Sequence, residues 1–207
     1  MTLQTWWLFV CAAFVICGTP GPNMLHILTR SVRFGLRRTV AAMAGCLAAI
    51  TLACAASAAG LSAVLAASPQ LFDILKYAGV AYLIYLGIKA WRDDSPLVIT
   101  DATAAPRASV AGLFRGGFLV AISNPKLLVF AAAFFPQFID TSAGETSQFA
   151  ILVATFAVIE MFWYAVYALG GRRLARHLTK ASWRLAFNRL SGAVFVGFGG
   201  ALLGYRL

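Results

Sequence analysis

The sequence predicts an all-α polytopic membrane protein, with six transmembrane helices forming two inverted three-helix halves. Three observations predict it. The 207 residues are 61% hydrophobic and 12% charged, with a mean hydropathy of +0.81. A soluble chain is about half apolar and about a quarter charged. Six apolar stretches approach or exceed the ~20 residues that cross a hydrocarbon core of ~30 Å at ~1.5 Å per residue. The basic residues gather in alternate connections between them. Such a composition excludes an ordinary soluble domain, a disordered tail and a disulfide-dense secreted module.

The predicted spans are 3–28, 39–66, 71–91, 113–139, 149–170 and 185–207. The first has no basic region ahead of it and no small-residue cleavage site, so it is expected as a span rather than a removable signal peptide. The last begins weakly, because Asn188 and Arg189 interrupt it. The longest polar connection, 92–112, holds Asp93, Asp94, Pro96, Asp101 and Pro106. It divides one transmembrane domain (1–207) into a first half, 1–91, and a second half, 113–207. Three spans per half make the halves enter from opposite faces, the topology of an inverted repeat.

The net charge of +10 could suggest a nucleic-acid partner, but its placement argues for membrane orientation. Fourteen of the 17 Lys and Arg fall in the first, third and fifth connections or beside them. The opposite side has only Lys76 and Arg206, with Asp73, Asp140 and Glu145. The positive-inside rule then makes the basic connections cytoplasmic and puts both termini outside. In the fifth connection Arg172, Arg176, Lys180 and Arg184 recur every four residues, as in a basic helix lying on anionic headgroups. Cys11, Cys17, Cys46 and Cys54 all lie in apolar runs without metal-ligand spacing and are expected as small packed side chains.

Helix breakers and charges inside a span are costly, so each one needs a reason. Gly18-Thr19-Pro20-Gly21-Pro22-Asn23 places two prolines and three glycine or asparagine residues within the first span. It predicts a helix that stops and restarts near Pro22, the first-turn position that proline favours. Asn124-Pro125-Lys126 repeats the device in the fourth span, with Asn as N-cap. Paired interrupted segments in corresponding positions point to a transporter's binding site.

A restarted half-helix exposes unpaired backbone N–H groups and the positive end of its dipole. Two such ends plus the Lys126 ammonium suit a carboxylate, with Gly21, Pro22, Asn23, Asn124, Pro125 and Lys126 as the binding residues. Glu160 is the acid well inside the fifth span. It must pair, hold a proton, or meet a substrate ammonium group, and it is the candidate proton-coupling residue. A Lys126–Glu160 ion pair is the structural alternative. Together the two signs of charge suit a small zwitterion. No metal, cofactor or catalytic residue is expected: there is no phosphate loop, zinc-type histidine cluster or Ser-His-Asp set.

Small residues recur at helix-packing spacing, at Ala41, Gly45 and Ala49 and at Ala193, Gly197 and Ala201, allowing close helices or a homodimer. His26, without an apparent partner, is expected as a packed or water-facing side chain.

In the order and spacing of its motifs the chain resembles the lysine/homoserine exporter (LysE/RhtB) family of bacterial amino-acid exporters. The motifs are Thr19-Pro20-Gly21-Pro22-Asn23 with glycines at 35 and 45, Tyr82-Leu83-Ile84-Tyr85-Leu86-Gly87, and Asn124-Pro125-Lys126. Phe135-Pro136-Gln137-Phe138 and Asn188-Arg189-Leu190-Ser191-Gly192 follow. The resemblance covers essentially the whole chain and implies efflux of amino acids or close derivatives, driven by the proton gradient. It implies aspartate more often at the fifth-span acid, where this chain has Glu160. The expected function is export of a small amino acid or derivative by proton antiport with alternating access. The alternatives are transport of an inorganic ion or another organic solute, an intramembrane lipid-active enzyme, and an assembly subunit.

Overall fold

The computed structural model describes residues 1–67, 69–92, 109–124, 126–127, 130–140, 143–178 and 180–204. Among them the regular structure is entirely helical. Most of the 92–112 connection and Pro125 lie outside the described residues.

Helix α1 (Leu3–Gly18) starts where Thr2 accepts the Thr5 N–H at 3.1 Å and stops at Thr19, ahead of Pro20. Pro22 then opens α2 (Pro22–Phe34), bent 53° from α1. The expected interruption of the first span is therefore present. Gly35 follows with φ 77, a left-handed backbone that favours glycine. It releases the chain into the long apolar α3 (Leu36–Ala67), and α4 (Pro69–Arg92) comes next.

The second half opens with α5 (Val110–Ile122), capped by the Ser109 hydroxyl on the Gly112 N–H at 3.0 Å. It starts three residues ahead of the expected span at 113. It halts at Ser123; residues 126–127 are again α-helical, and from Phe130 the chain departs from α geometry. A π-helical turn (Phe130–Phe134) passes into a 3-10 turn (Phe135–Phe138). Pro136 has no N–H to donate to a carbonyl four residues back, so a regular α-helix cannot run through it unbroken. Phe130 stacks on Phe134 at 4.4 Å and on Phe156 at 4.3 Å, and Phe9 of α1 packs edge-on against Phe135 and Phe138. Aromatic packing holds this irregular segment in the core.

Helix α6 (Glu145–Leu178) is kinked at Gly171, where φ is 39 and ψ −125. Helix α7 (Ala181–Gly204) completes the described chain. One continuous basic helix across the fifth connection was the expectation. Instead α6 ends at Leu178 and α7 begins at Ala181, with a turn closed by the Lys180 N–H on the His177 carbonyl.

Seven α-helices are thus described. By length and apolarity α3 and α6 can each cross a membrane, and the bent α1–α2 pair can count as a third span. Two close crossings organise the bundle. Gly45 of α3 faces the Phe114 carbonyl of α5, and Gly117 of α5 faces the Ala42 carbonyl, each without room for a Cβ. Gly87 of α4 and Gly192 of α7 approach backbone to backbone in the same way. Gly45 therefore serves close helix packing as its stripe predicts. On α7 the packing glycines are Gly192 and Gly199, while Ala193 and Gly197 face outward.

Candidate functional site

The two interrupted segments meet. Gly21, Asn23 and Met24 at the start of α2, Asn124 and Lys126 at the second interruption, and Glu160 of α6 line one cavity. Ile16, Cys17, Leu127, Phe130 and Phe156 complete its wall. Glu160 is 5% exposed, and Asn23 and Asn124 are 4% exposed each. Every expected site residue but two lies at this cavity: Pro22 opens α2 and is itself exposed, and Pro125 falls outside the described residues.

A continuous chain of hydrogen bonds runs through the site. The Lys126 backbone N–H donates to Asn124 Oδ1 at 3.0 Å, the N-cap bond that Asn before Pro predicts. Asn124 Nδ2 donates to Asn23 Oδ1 at 3.0 Å. Asn23 Nδ2 donates to the Tyr164 hydroxyl oxygen at 3.3 Å. Tyr164 donates in turn to Glu160 Oε1 at 3.1 Å. All four links have one polarity, and the chain ends on the carboxylate. Glu160 Oε2, the other oxygen, is buried and has no partner.

Lys126 and Glu160 share the cavity but do not form the ion pair held open as the structural alternative. The ion pair among the described residues joins the Met1 amine to Asp140 at 3.5 Å. The Lys126 ammonium instead donates to the Ile16 carbonyl, to Thr19 Oγ1 at 2.5 Å and to the Thr19 carbonyl at 3.3 Å. Those oxygens end α1, the negative pole of its dipole, so the cation sits where a helix C-terminus attracts it. Tyr167 donates to the Gly18 carbonyl at 2.9 Å and closes the same end. The start of α2 has no side-chain cap. The two interruptions are therefore unlike: the second is capped by its own Asn124, and the first offers an open N-terminus.

Sequence reasoning missed Thr19 as a partner of Lys126, and it missed Tyr164. The signal for Tyr164 was its spacing: four residues beyond Glu160, it stands one turn away on the same face. The cavity encloses ≈ 20 Å³, room for about one water molecule. Among the described residues no three His, Cys, Asp or Glu side chains gather as a metal site.

Apolar helices, two or three of them able to cross a membrane, surround a buried polar pocket built where two helices break, the architecture of a helical membrane protein. The chain belongs to the LysE type translocator family, whose model matches residues 14–206. Members of that family are transporters, not enzymes. The homoserine/homoserine lactone efflux protein of Salmonella typhimurium is 32% identical over 206 residues, covering 100% of this chain and 99% of that protein. The leucine efflux protein of Enterobacter sp. (strain 638) is 32% identical over 199 residues, covering 95% and 93%. An uncharacterized membrane protein of Vibrio cholerae is 31% identical over 199 residues, covering 96% of each chain. No solved structure gives a significant match.

Proposed function

We propose that this protein exports a small amino acid or amino-acid derivative across the bacterial inner membrane, in exchange for protons and by alternating access. One observation carries the proposal. Glu160 presents a buried, unpartnered carboxylate oxygen to a cavity that also holds the Lys126 ammonium. An unpaired ion in a low-dielectric site costs several kcal/mol, on the order of the penalty for any buried charge. A substrate ammonium or a proton on Oε2 relieves that cost, and the two compete for one oxygen. Competition for a single acceptor is the simplest physical basis for exchange. The efflux relatives support the substrate class: their names specify homoserine, its lactone and leucine.

The substrate carboxylate has the uncapped start of α2 at Gly21, Pro22 and Asn23, with Asn124 and Lys126 opposite; Pro125 belongs to the same proposed binding segment. To reach Lys126 it must replace the Ile16 and Thr19 oxygens. Binding therefore loosens the end of α1, and the small cavity supports the view that the site opens to admit its substrate. An amino acid does not fit a space for about one water.

A six-span bundle of two inverted halves, 1–91 and 113–207 about a cytoplasmic 92–112 connection, agrees with the helix pairing. Exchanging the halves maps the second span against the fourth onto the fifth against the first, and the third against the sixth onto itself. The packing follows this pattern: α3 runs along α5, α6 along α1 and α2, and α4 along α7. Both termini are periplasmic in this arrangement, and the exposed Arg37 and Arg38 face anionic headgroups.

Glu160→Gln tests the exchange. Gln is close in size and cannot carry the coupling proton, so proton-driven efflux is lost while the variant purifies as a folded protein. Unchanged coupling rejects the role of Glu160.

A further inference from the structure

A second polar feature lies outside the pocket. Three buried nitrogens without a hydrogen-bond partner sit on α2: His26 Nε2, Arg30 Nε and Arg33 Nη2. Spacings of four and three residues put these side chains on one helix face. All three atoms are donors or, for the imidazole, able to become one. None of the three side chains forms an ion pair among the described residues. Both guanidinium groups stand over the Phe34 ring, Arg33 at 4.8 Å and Arg30 at 5.8 Å, so two like charges are held together rather than splayed apart.

Orientation by positive charge accounts for Arg37 and Arg38, which are exposed and free to reach water. It does not account for cations kept half-buried with orphaned nitrogens. The facing helix leaves space here. His26 lies over Gly116 of α5, where an added Cβ would stand 3.6 Å from its ring, and Gly112 is one turn earlier on the same face. The face starts at His26, one turn beyond Asn23 in the pocket, and runs about 10 Å along α2 to Arg33.

We propose that His26, Arg30 and Arg33 form an oxyanion-binding site at the inner mouth of the protein, ahead of the buried pocket. The shared chemistry is a carboxylate or phosphate oxygen accepting from these donors. Its source is the carboxylate of the solute on its way to Asn23, or the phosphate of an inner-leaflet lipid. The solute arm rests on the export proposal above; the lipid arm does not.

The test uses the full-length Arg30→Gln and Arg33→Gln variants, with Arg30→Lys and Arg33→Lys to keep charge and membrane orientation. In proteoliposomes the KM for leucine offered at the basic face rises roughly tenfold or more in the Gln variants, the scale of a lost charge-assisted hydrogen bond. The Lys variants retain most of the affinity. Leucinamide, which has no carboxylate, shows no such rise. If lipid is the source, phosphatidylglycerol in phosphatidylcholine nanodiscs raises the melting temperature of wild type but not of the Gln variants. Equal KM values together with equal phosphatidylglycerol responses overturn the site. Leucine transport by wild type alongside that result leaves the export proposal standing. Wild type that moves no amino acid removes the export proposal, and the nanodisc comparison alone then decides the site.

Discussion

At the scale of residues, Glu160 and Tyr164 carry the account. Tyr164 is fully buried, and its hydroxyl both donates to Glu160 and accepts from Asn23. Tyr164→Phe keeps the ring and removes both bonds. Each is worth about 1 kcal/mol net, more where a charged group takes part, so efflux falls about tenfold or more. The protein still purifies as a monodisperse species. Asn124→Ser makes a finer distinction. Serine still caps a helix start but does not span the 3.0 Å link that Asn124 Nδ2 makes to Asn23. Transport falls with little loss of thermal stability; a variant that melts early yet transports at the wild-type rate contradicts this. Lys126 and Glu160 were legible in the sequence because a charge inside a span demands a reason. Their partners were not: that Lys126 closes the end of α1 is a consequence of tertiary packing, invisible in its neighbours Asn124 and Pro125.

At the scale of elements, glycines decide which helices touch. A Cβ on Gly45 would collide with the Phe114 carbonyl, whereas Gly60, on the same helix, has nothing within 4 Å. The same substitution therefore has opposite signs at the two sites. Gly60→Ala leaves stability unchanged or raises it by up to about 1 kcal/mol, from helix propensity alone. Gly45→Ala forces backbones apart and lowers the melting temperature, as a thermal scan in detergent will register. Both interruptions were readable, because Pro20, Pro22 and Pro125 cannot donate to a helix ladder. The passage through π and 3-10 turns after the second interruption was not. Besides Pro136, its cause is the packing of Phe130, Phe134 and Phe135 against Phe9 and Phe156, contacts between residues up to 126 positions apart.

At the scale of the whole molecule, hydropathy and charge placement announced a helical membrane protein, and the family match agrees. Pairing of the helices follows from which faces are small and which are bulky, a pattern too diffuse to read from Ala41 or Ala193 alone. The orientation is checked by single cysteines placed at Arg38 and Ala143 in a cysteine-free background. A membrane-impermeant thiol reagent applied to intact cells labels position 143 and spares position 38 in the proposed topology. The reverse pattern inverts it.

The most direct test is efflux from proteoliposomes loaded with a mixture of the common amino acids under an inward proton gradient. Released solutes are identified by mass spectrometry for wild type and Glu160→Gln. Wild type releases one or a few amino acids in proportion to the gradient, and Glu160→Gln releases none above protein-free vesicles. Release that ignores the gradient, or equal gradient-driven release by both proteins, contradicts exchange at Glu160.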